Sequence, residues 1–295
     1  MIKIIKTPQS FKAKKQLTYP PNQGNDIMIE EYFYNYILSG RKNFNFKSRF
    51  YYLPIFWTNY FHKKNYGKKI KFLRFFINTV NFFYRNKTKF TIVQYAGGIK
   101  APLSNSIIFA SAGKELSPLG KGCVYIPIPL ISKPFQYKKN ANKLYKASFI
   151  GRNTHPVRLK LLEQFKDNEN FKIDIVEDIN NVNKFNYYLE NSVFTLCPRG
   201  TSPTSFRLYE SISSGSIPIY VSDTFWLPFE DEINWEEICV FIKPDEIDKI
   251  EIIIDELVTS NKFDEMITKG QKVYKDYFTY EKICENIIKI LNNYE

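Results

Sequence analysis

Short apolar runs alternate with amphipathic stretches through the second half of the chain. Residues 146–151 (KASFIG) predict a buried strand, 156–165 a helix with proline in its first turn, and 171–176 the next strand. A helical stretch near 183–190 then precedes a strand at 192–197, a turn-rich loop, a helix over 204–214 closed by Gly215, and a strand at 217–221. Residues 238–242 predict one more strand, and 245–294 are mostly helical in pattern. Apolar strands alternating with helices predict a parallel, doubly wound sheet covered on both faces.

The first half has a weaker rhythm. Residues 1–5, 50–55, 90–94 and 106–109 predict strands, and 70–84 (IKFLRFFINTVNFFY) predict a helix by period and length. The polar stretch 140–146 (NANKLYK), just before a strong strand, is the expected hinge. The chain therefore divides into an α/β domain over 1–146 and another over 147–295, with the last helix able to pack back on the first. A length of 295 residues suits two such cores. No solenoid repeat, heptad seam or low-complexity tract is present.

Composition adds one asymmetry. Residues 1–147 hold 26 Lys and Arg against four acids, Asp26, Glu30, Glu31 and Glu115, a net +22. Residues 148–295 hold 16 bases against 26 acids, a net −10. Codon bias toward lysine does not sort acids into one half, so the basic half is expected to meet an anionic partner, a charged glycan or a membrane surface. The 44% hydrophobic, 17% aromatic composition excludes a disordered chain. No run approaches the ~20 apolar residues of a membrane-spanning helix. The expected compartment is the cytoplasm, with peripheral membrane contact allowed, and Cys123, Cys197, Cys239 and Cys284 are expected to be free thiols.

In an open parallel sheet, ligands bind beyond the carboxyl ends of the strands. Two predicted strand-to-helix loops in the second half carry candidate chemistry. The first is Gly151-Arg152-Asn153-Thr154-His155-Pro156; the second runs from Cys197-Pro198-Arg199-Gly200 through Ser202, Thr204 and Ser205 into a helix bearing Arg207 and Glu210. Each ends at a helix N-terminus, whose N–H groups and positive dipole end favour phosphate. Arg199 and Arg207 add charge-assisted donors. Glu210 is spaced along its helix to accept a ribose diol while the helix start holds a diphosphate. Arg207 and Glu210 are equally spaced for a simple surface ion pair. Asp223, after the next strand, borders the pocket or caps a turn.

These residues carry a resemblance. Cys197-Pro198-Arg199-Gly200, then Ser205, Arg207 and Glu210, then Ser214-Gly215-Ser216-Ile217-Pro218, Asp223, Leu227-Pro228-Phe229 and Trp235 resemble the nucleotide-sugar half of the exostosin glycosyltransferases. The run from Ser148 to Arg158 resembles that family too, as do Leu53-Pro54-Ile55-Phe56-Trp57-Thr58-Asn59-Tyr60 and the segment ending Gln94-Tyr95. The resemblance implies the two-domain GT-B architecture, two Rossmann-like domains facing a central cleft. It implies a UDP-sugar donor held by the second domain through Arg152, His155, Arg158, Arg199, Thr204, Ser205, Arg207, Glu210 and Asp223. The acceptor, a glycan or glycolipid, is held mainly by the first. It further implies inversion at the anomeric carbon and no cofactor or catalytic metal. The residues agree on the metal: there are two His, no clustered Cys and no Asp-x-Asp.

Inversion by direct displacement needs a general base. Asp26, His62 and Glu115 are the candidates, and the residues do not choose among them. Glu30 and Glu31 open an aromatic, helix-like run and are expected to be a solvated first turn, while His62, beside Lys63 and Lys64, is expected at the surface. His155 is placed either to touch phosphate or to cap the helix at Pro156. Trp57, Asn59 and Tyr60, with Gln94 and Tyr95, are the acceptor candidates, a sugar platform or simply core. Two competing functions are a nucleic-acid-binding protein using the basic half and a catalytically inactive exostosin-like scaffold. The first has no helix-turn-helix, RRM or zinc signature and leaves residues 199–210 without a role.

Overall fold

The computed structural model describes residues 2–13, 27–39, 49–115, 117, 120–131, 134–135, 143–177, 182–260 and 262–294. They form two units. One holds Thr279–Glu295 together with the described residues before Leu130, and the other is Leu130–Phe278. This divide precedes the 146/147 boundary expected from the sequence. The divide falls between Pro129 and Leu130, and Tyr145, inside the stretch expected to be a hinge, already belongs to a strand; residues 140–142 of that stretch lie outside the described residues.

The first unit contains β1 (Lys3–Ile4), α1 (Ile29–Leu38), β2 (Phe50–Tyr52), α2 (Trp57–Lys63), α3 (Lys71–Phe83), β3 (Thr88–Val93), β4 (Ser106–Ala110), β5 (Cys123–Pro127) and the C-terminal helix α9 (Tyr280–Asn293). Its five strands are parallel and lie in chain order, β1-β2-β3-β4-β5. Successive residues of β3 face opposite sides of the sheet. Phe90 stacks on its cross-strand partner Tyr52 at 4.9 Å and meets Phe33 of α1. Thr91 instead accepts the indole N–H of Trp57 in α2 at 2.8 Å. The two faces are thus covered by different helices.

The second unit contains β6 (Tyr145–Gly151), α4 (Pro156–Phe165), β7 (Phe171–Ile175), α5 (Val182–Glu190), β8 (Ser192–Pro198), α6 (Phe206–Ser214), β9 (Ile217–Val221), β10 (Val240–Ile242), α7 (Ile250–Thr259) and α8 (Phe263–Tyr277). All strand pairs are parallel, in the order β10-β9-β8-β6-β7. Its core joins Phe149 of β6, Leu161 and Phe165 of α4, Leu196 of β8 and Ile219 of β9, and Phe165 stacks on Phe171 at 4.1 Å. Burying each such side chain contributes about 1.5–3 kcal/mol. Gly215 ends α6 at φ 73°, a left-handed C-cap that favours glycine.

The two sheet orders differ in a way that matters for ligands. The first sheet adds each new strand beside the last. In the second the chain goes from β6 outward to β7, then returns to add β8 on the other side of β6. Between β6 and β8 the loops after the strands leave in opposite directions, and a crevice opens beyond their carboxyl ends. The two loops singled out from the sequence are the ones that follow β6 and β8.

Candidate functional site

Arg158, in the first turn of α4, ties the two loops together. Its Nε donates to the carbonyl of Arg199 at 3.0 Å, its Nη1 to that of Arg152 at 2.8 Å, and its Nη2 to that of Pro198 at 3.3 Å. Burial, with the Arg207 and Arg152 charges nearby, lowers its pKa to about 10. Arg158 was expected to touch the donor; three of its five N–H groups brace backbone carbonyls, so it also acts as a strut. The close approach also explains Gly200. A Cβ there would sit 2.9 Å from both Arg158 Nη2 and Thr154 Oγ1.

Arg207 is buried as well. Its Nη2 donates to the Ile150 carbonyl at 2.6 Å, and its guanidinium lies 3.8 Å over the Phe185 ring. Glu210, one helical turn further, is 2% exposed with a carboxylate oxygen 3.8 Å from Arg207 Nε. The alternative of a surface ion pair is therefore excluded. Burial dominates both groups: it lowers the arginine and pushes the Glu210 carboxyl up to about 7, with Arg207 pulling it back down. At 3.8 Å the contact is too long for a strong hydrogen bond, which leaves the carboxylate under-satisfied.

Nearer the mouth, Arg199 is buried to 7% exposure and its Nη1 donates to Asp223 just after β9. The Asp223 side chain is itself 56% exposed. Partial burial pushes its carboxyl up, but the bond and the charge of Arg199 together pull it below the usual carboxylate range. His155 caps α4, its Nδ1 accepting the Val157 amide at 3.3 Å. Arg152 is exposed on the same loop. The switch point thus gathers Arg152, Arg158, Arg199 and Arg207 against Glu210 and Asp223. A guanidinium bonded to carbonyls keeps its full charge, and in a water-poor interior that charge acts on a nearby anion.

The crevice also receives the N-terminus of α6, where the Leu208 amide turns back to the Ser205 carbonyl at 3.2 Å and the amides before it lie ahead of the first i−4 acceptor. Ser205 holds the N-cap position without capping: its Oγ is buried and has no protein hydrogen-bond partner. Thr204 is buried beside Tyr209 and Tyr220. A cationic crevice at a helix start with an unused hydroxyl is suited to a phosphate or diphosphate group. Among the described residues, no group of three or more His, Cys, Asp or Glu could hold a metal ion. Cys123, Cys197, Cys239 and Cys284 are free thiols.

The first unit corrects several expectations. Trp57, Asn59, Tyr60 and Gln94 are buried, so they form no exposed sugar platform. Trp57 bonds Thr91, Asn59 Nδ2 donates to the Ala13 carbonyl at 3.1 Å, and Tyr60 packs edge-on against Phe11. Tyr95 is half-buried against Phe61, and His62 is half-buried with edge contacts to Tyr66 and Tyr95 rather than solvated; burial lowers its pKa. Glu115 is exposed, and Asp26 lies outside the described residues.

Glu30 is the residue the sequence placed wrongly. It is not a solvated first-turn acid but is wholly buried beyond the carboxyl end of β3. Its Oε1 accepts from Thr58 Oγ1 at 2.7 Å, Thr58 N at 3.3 Å and Gln94 N at 3.0 Å, and its Oε2 has no hydrogen-bond partner. Desolvation raises its pKa against those bonds. One carboxylate thereby fixes the starts of α1 and α2 and the exit of β3. The signal was the spacing to Phe33, three residues on and on the same buried helix face.

The model of the exostosin GT47 domain matches residues 101–257. A probable glucuronosyltransferase, GUT1, of Oryza sativa subsp. japonica is 40% identical over 93 residues, 31% of this chain and 22% of the relative. A probable beta-1,4-xylosyltransferase, IRX10, of Arabidopsis thaliana is 36% identical over 107 residues, 36% of this chain and 25% of the relative. The chain thus spans a quarter or less of the length of these curated relatives. Among solved structures, Anabaena Alr3699/HepE in complex with UDP is similar at 10% identity and a TM-score of 0.45, over 88% of this chain and 81% of that one. More than half of the sequence, both switch-point loops included, fits one family model, and the chain belongs to the exostosin GT47 family.

Proposed function

We propose that the chain is a glycosyltransferase that moves a sugar from a UDP-sugar to a glycan or glycolipid acceptor, with inversion and without a metal ion. The observation that carries this reading is the cationic crevice at the β6/β8 switch point. The diphosphate sits at the start of α6, where Ser205, the first-turn amides, Arg199 and Arg152 surround it, and the buried charges of Arg158 and Arg207 deepen the potential. Glu210 stands roughly 7 Å along α6 from the N-cap, about the span from a diphosphate to its ribose. Two ribose hydroxyls would supply the donors this carboxylate lacks.

In the displacement, the acceptor oxygen forms its bond to the anomeric carbon as the bond to the diphosphate oxygen breaks. Negative charge then grows on the diphosphate, and preorganised guanidiniums and amides stabilise that charge without reorganisation. The acceptor proton goes to a base on the acceptor side. The +22 balance of the first half supports an anionic acceptor.

The test is a transfer assay over a panel of UDP-sugars, with the product's anomeric configuration read by NMR. Transfer with inverted configuration supports the reading. Retained configuration overturns inversion, and UDP binding without transfer to any acceptor identifies an inactive scaffold.

A further inference from the structure

Helix α3 has two apolar faces, and its own unit covers one of them. Leu73, Ile77 and Val80 are buried. Phe72, Phe75, Phe82 and Phe83 are 56, 69, 64 and 72% exposed. At 100° per residue these four phenylalanines fall within an arc of about 100° and form a stripe roughly 16 Å long. Exposed aromatics scattered singly are ordinary, but a row of four along one helix face marks an interaction surface.

The surroundings of the stripe specify the partner's charge. Lys68, Lys69, Lys71, Arg74 and Arg85 are exposed on α3 and its two ends, and the Arg85 guanidinium lies 5.7 Å from the Phe82 ring. From residue 32 to residue 114 the sequence has no Asp or Glu, so these cations have no local acid to neutralise them. An apolar stripe bordered by lysine and arginine on a short amphipathic helix fits the boundary between lipid headgroups and acyl chains. The aromatic rings enter that boundary while the lysine stems reach back to anionic headgroups. Among the described residues no helix is long and apolar enough to cross a membrane, and α3 has only 13 residues, which suits a helix lying in the plane of the surface.

We propose that α3 is a membrane-docking helix that binds the surface of an anionic lipid bilayer through Phe72, Phe75, Phe82 and Phe83, with Lys68, Lys69, Lys71, Arg74 and Arg85 contacting the headgroups. This rests on the exposed face of α3 alone and is independent of the donor site.

The experiment is co-sedimentation of the full chain with phosphatidylcholine vesicles, with and without roughly one third phosphatidylglycerol. The chain is expected to pellet with the anionic vesicles and stay in the supernatant with neutral ones. The partition coefficient should fall about tenfold or more in a Phe75→Ser/Phe82→Ser variant, and similarly at low salt in a Lys68→Gln/Lys69→Gln/Lys71→Gln variant. A Phe75→Trp variant supplies a second readout. Its indole emission should shift to the blue with anionic vesicles only, above the background of three buried tryptophans. Equal pelleting with both vesicle types, no pelleting with either, or an unmoved Phe75→Trp emission overturns the proposal. So does a dimer in sedimentation velocity that Phe75→Ser dissociates, since a second copy would then cover the stripe.

Discussion

Arg158 donates its Nε hydrogen to the main-chain carbonyl of Arg199 across the reversal point of the second sheet. That bond, with two more from the same guanidinium, makes the loops after β6 and β8 a single rigid wall. The candidate ligands on those loops are held by a residue that need not touch the ligand itself. A site built this way places its charge before anything binds, which is what stabilising a diphosphate leaving group requires.

Lysine at position 158 keeps the charge but cannot reach three carbonyls in this fork. Arg158→Lys should therefore cost about 2 kcal/mol or more of stability, since hydrogen bonds from charged donors contribute roughly 1.5–3 kcal/mol each. Urea unfolding followed by circular dichroism is the check. A loss below about 0.5 kcal/mol would mean that the loops hold themselves.

Glu30 supports a parallel expectation in the first unit. Glu30→Ala strands the Thr58 amide, the Thr58 hydroxyl and the Gln94 amide in a dry interior and should destabilise by roughly 2–5 kcal/mol. Glu30→Gln keeps the accepting oxygen and should lose much less. Equal losses in the two variants would show that the packing of Glu30, rather than its hydrogen bonds, is what matters.

Glu210 gives a pH dependence with a definite sign. Its folded pKa of about 7 lies above the ordinary glutamate value of 4.5, so between those values the folded state holds more protons than the unfolded one. Stability contributed by the protonated group is complete below about 4.5 and is lost as pH rises toward 7. The span corresponds to a loss on the order of 3 kcal/mol at most. Glutamine mimics the protonated form, so Glu210→Gln should remove this downward slope and melt higher than the wild type at pH 8. Parallel stability-against-pH curves for the two proteins would contradict the burial seen here.

The second unit was legible because its strands are buried apolar runs punctuated by Pro156 and Gly215. The strand at 217–221 and the helix after Pro156 fall where the pattern put them. The edge strand β5 was missed although residues 123–131 (CVYIPIPLI) are apolar throughout, because Pro127 and Pro129 punctuate the run and the strand is half-exposed. The loops of the site were visible as loops, and their arginines as candidates. What the pattern could not show was direction. Arg158 and Arg207 turn inward to carbonyls, and only tertiary contacts decide whether a guanidinium meets a ligand or a backbone. Trp57 and Tyr60 posed the same problem in a chain with 17% aromatic residues, and packing claimed both.

Metal independence is expected because the chain's own arginines are assigned the task of neutralising the diphosphate. Transfer activity should survive EDTA. Loss on chelation that Mn²⁺ or Mg²⁺ restores would return that task to a metal ion.

The most direct test of the donor site is calorimetric titration of the full chain with UDP in the presence of EDTA, for the wild type and for Arg199→Ala and Glu210→Ala variants that melt cooperatively. Saturable binding by the wild type, weakened about tenfold or more by either substitution, is the predicted result. Absence of UDP binding by the wild type, or unchanged affinity in both folded variants, would contradict a UDP site at the β6/β8 switch point.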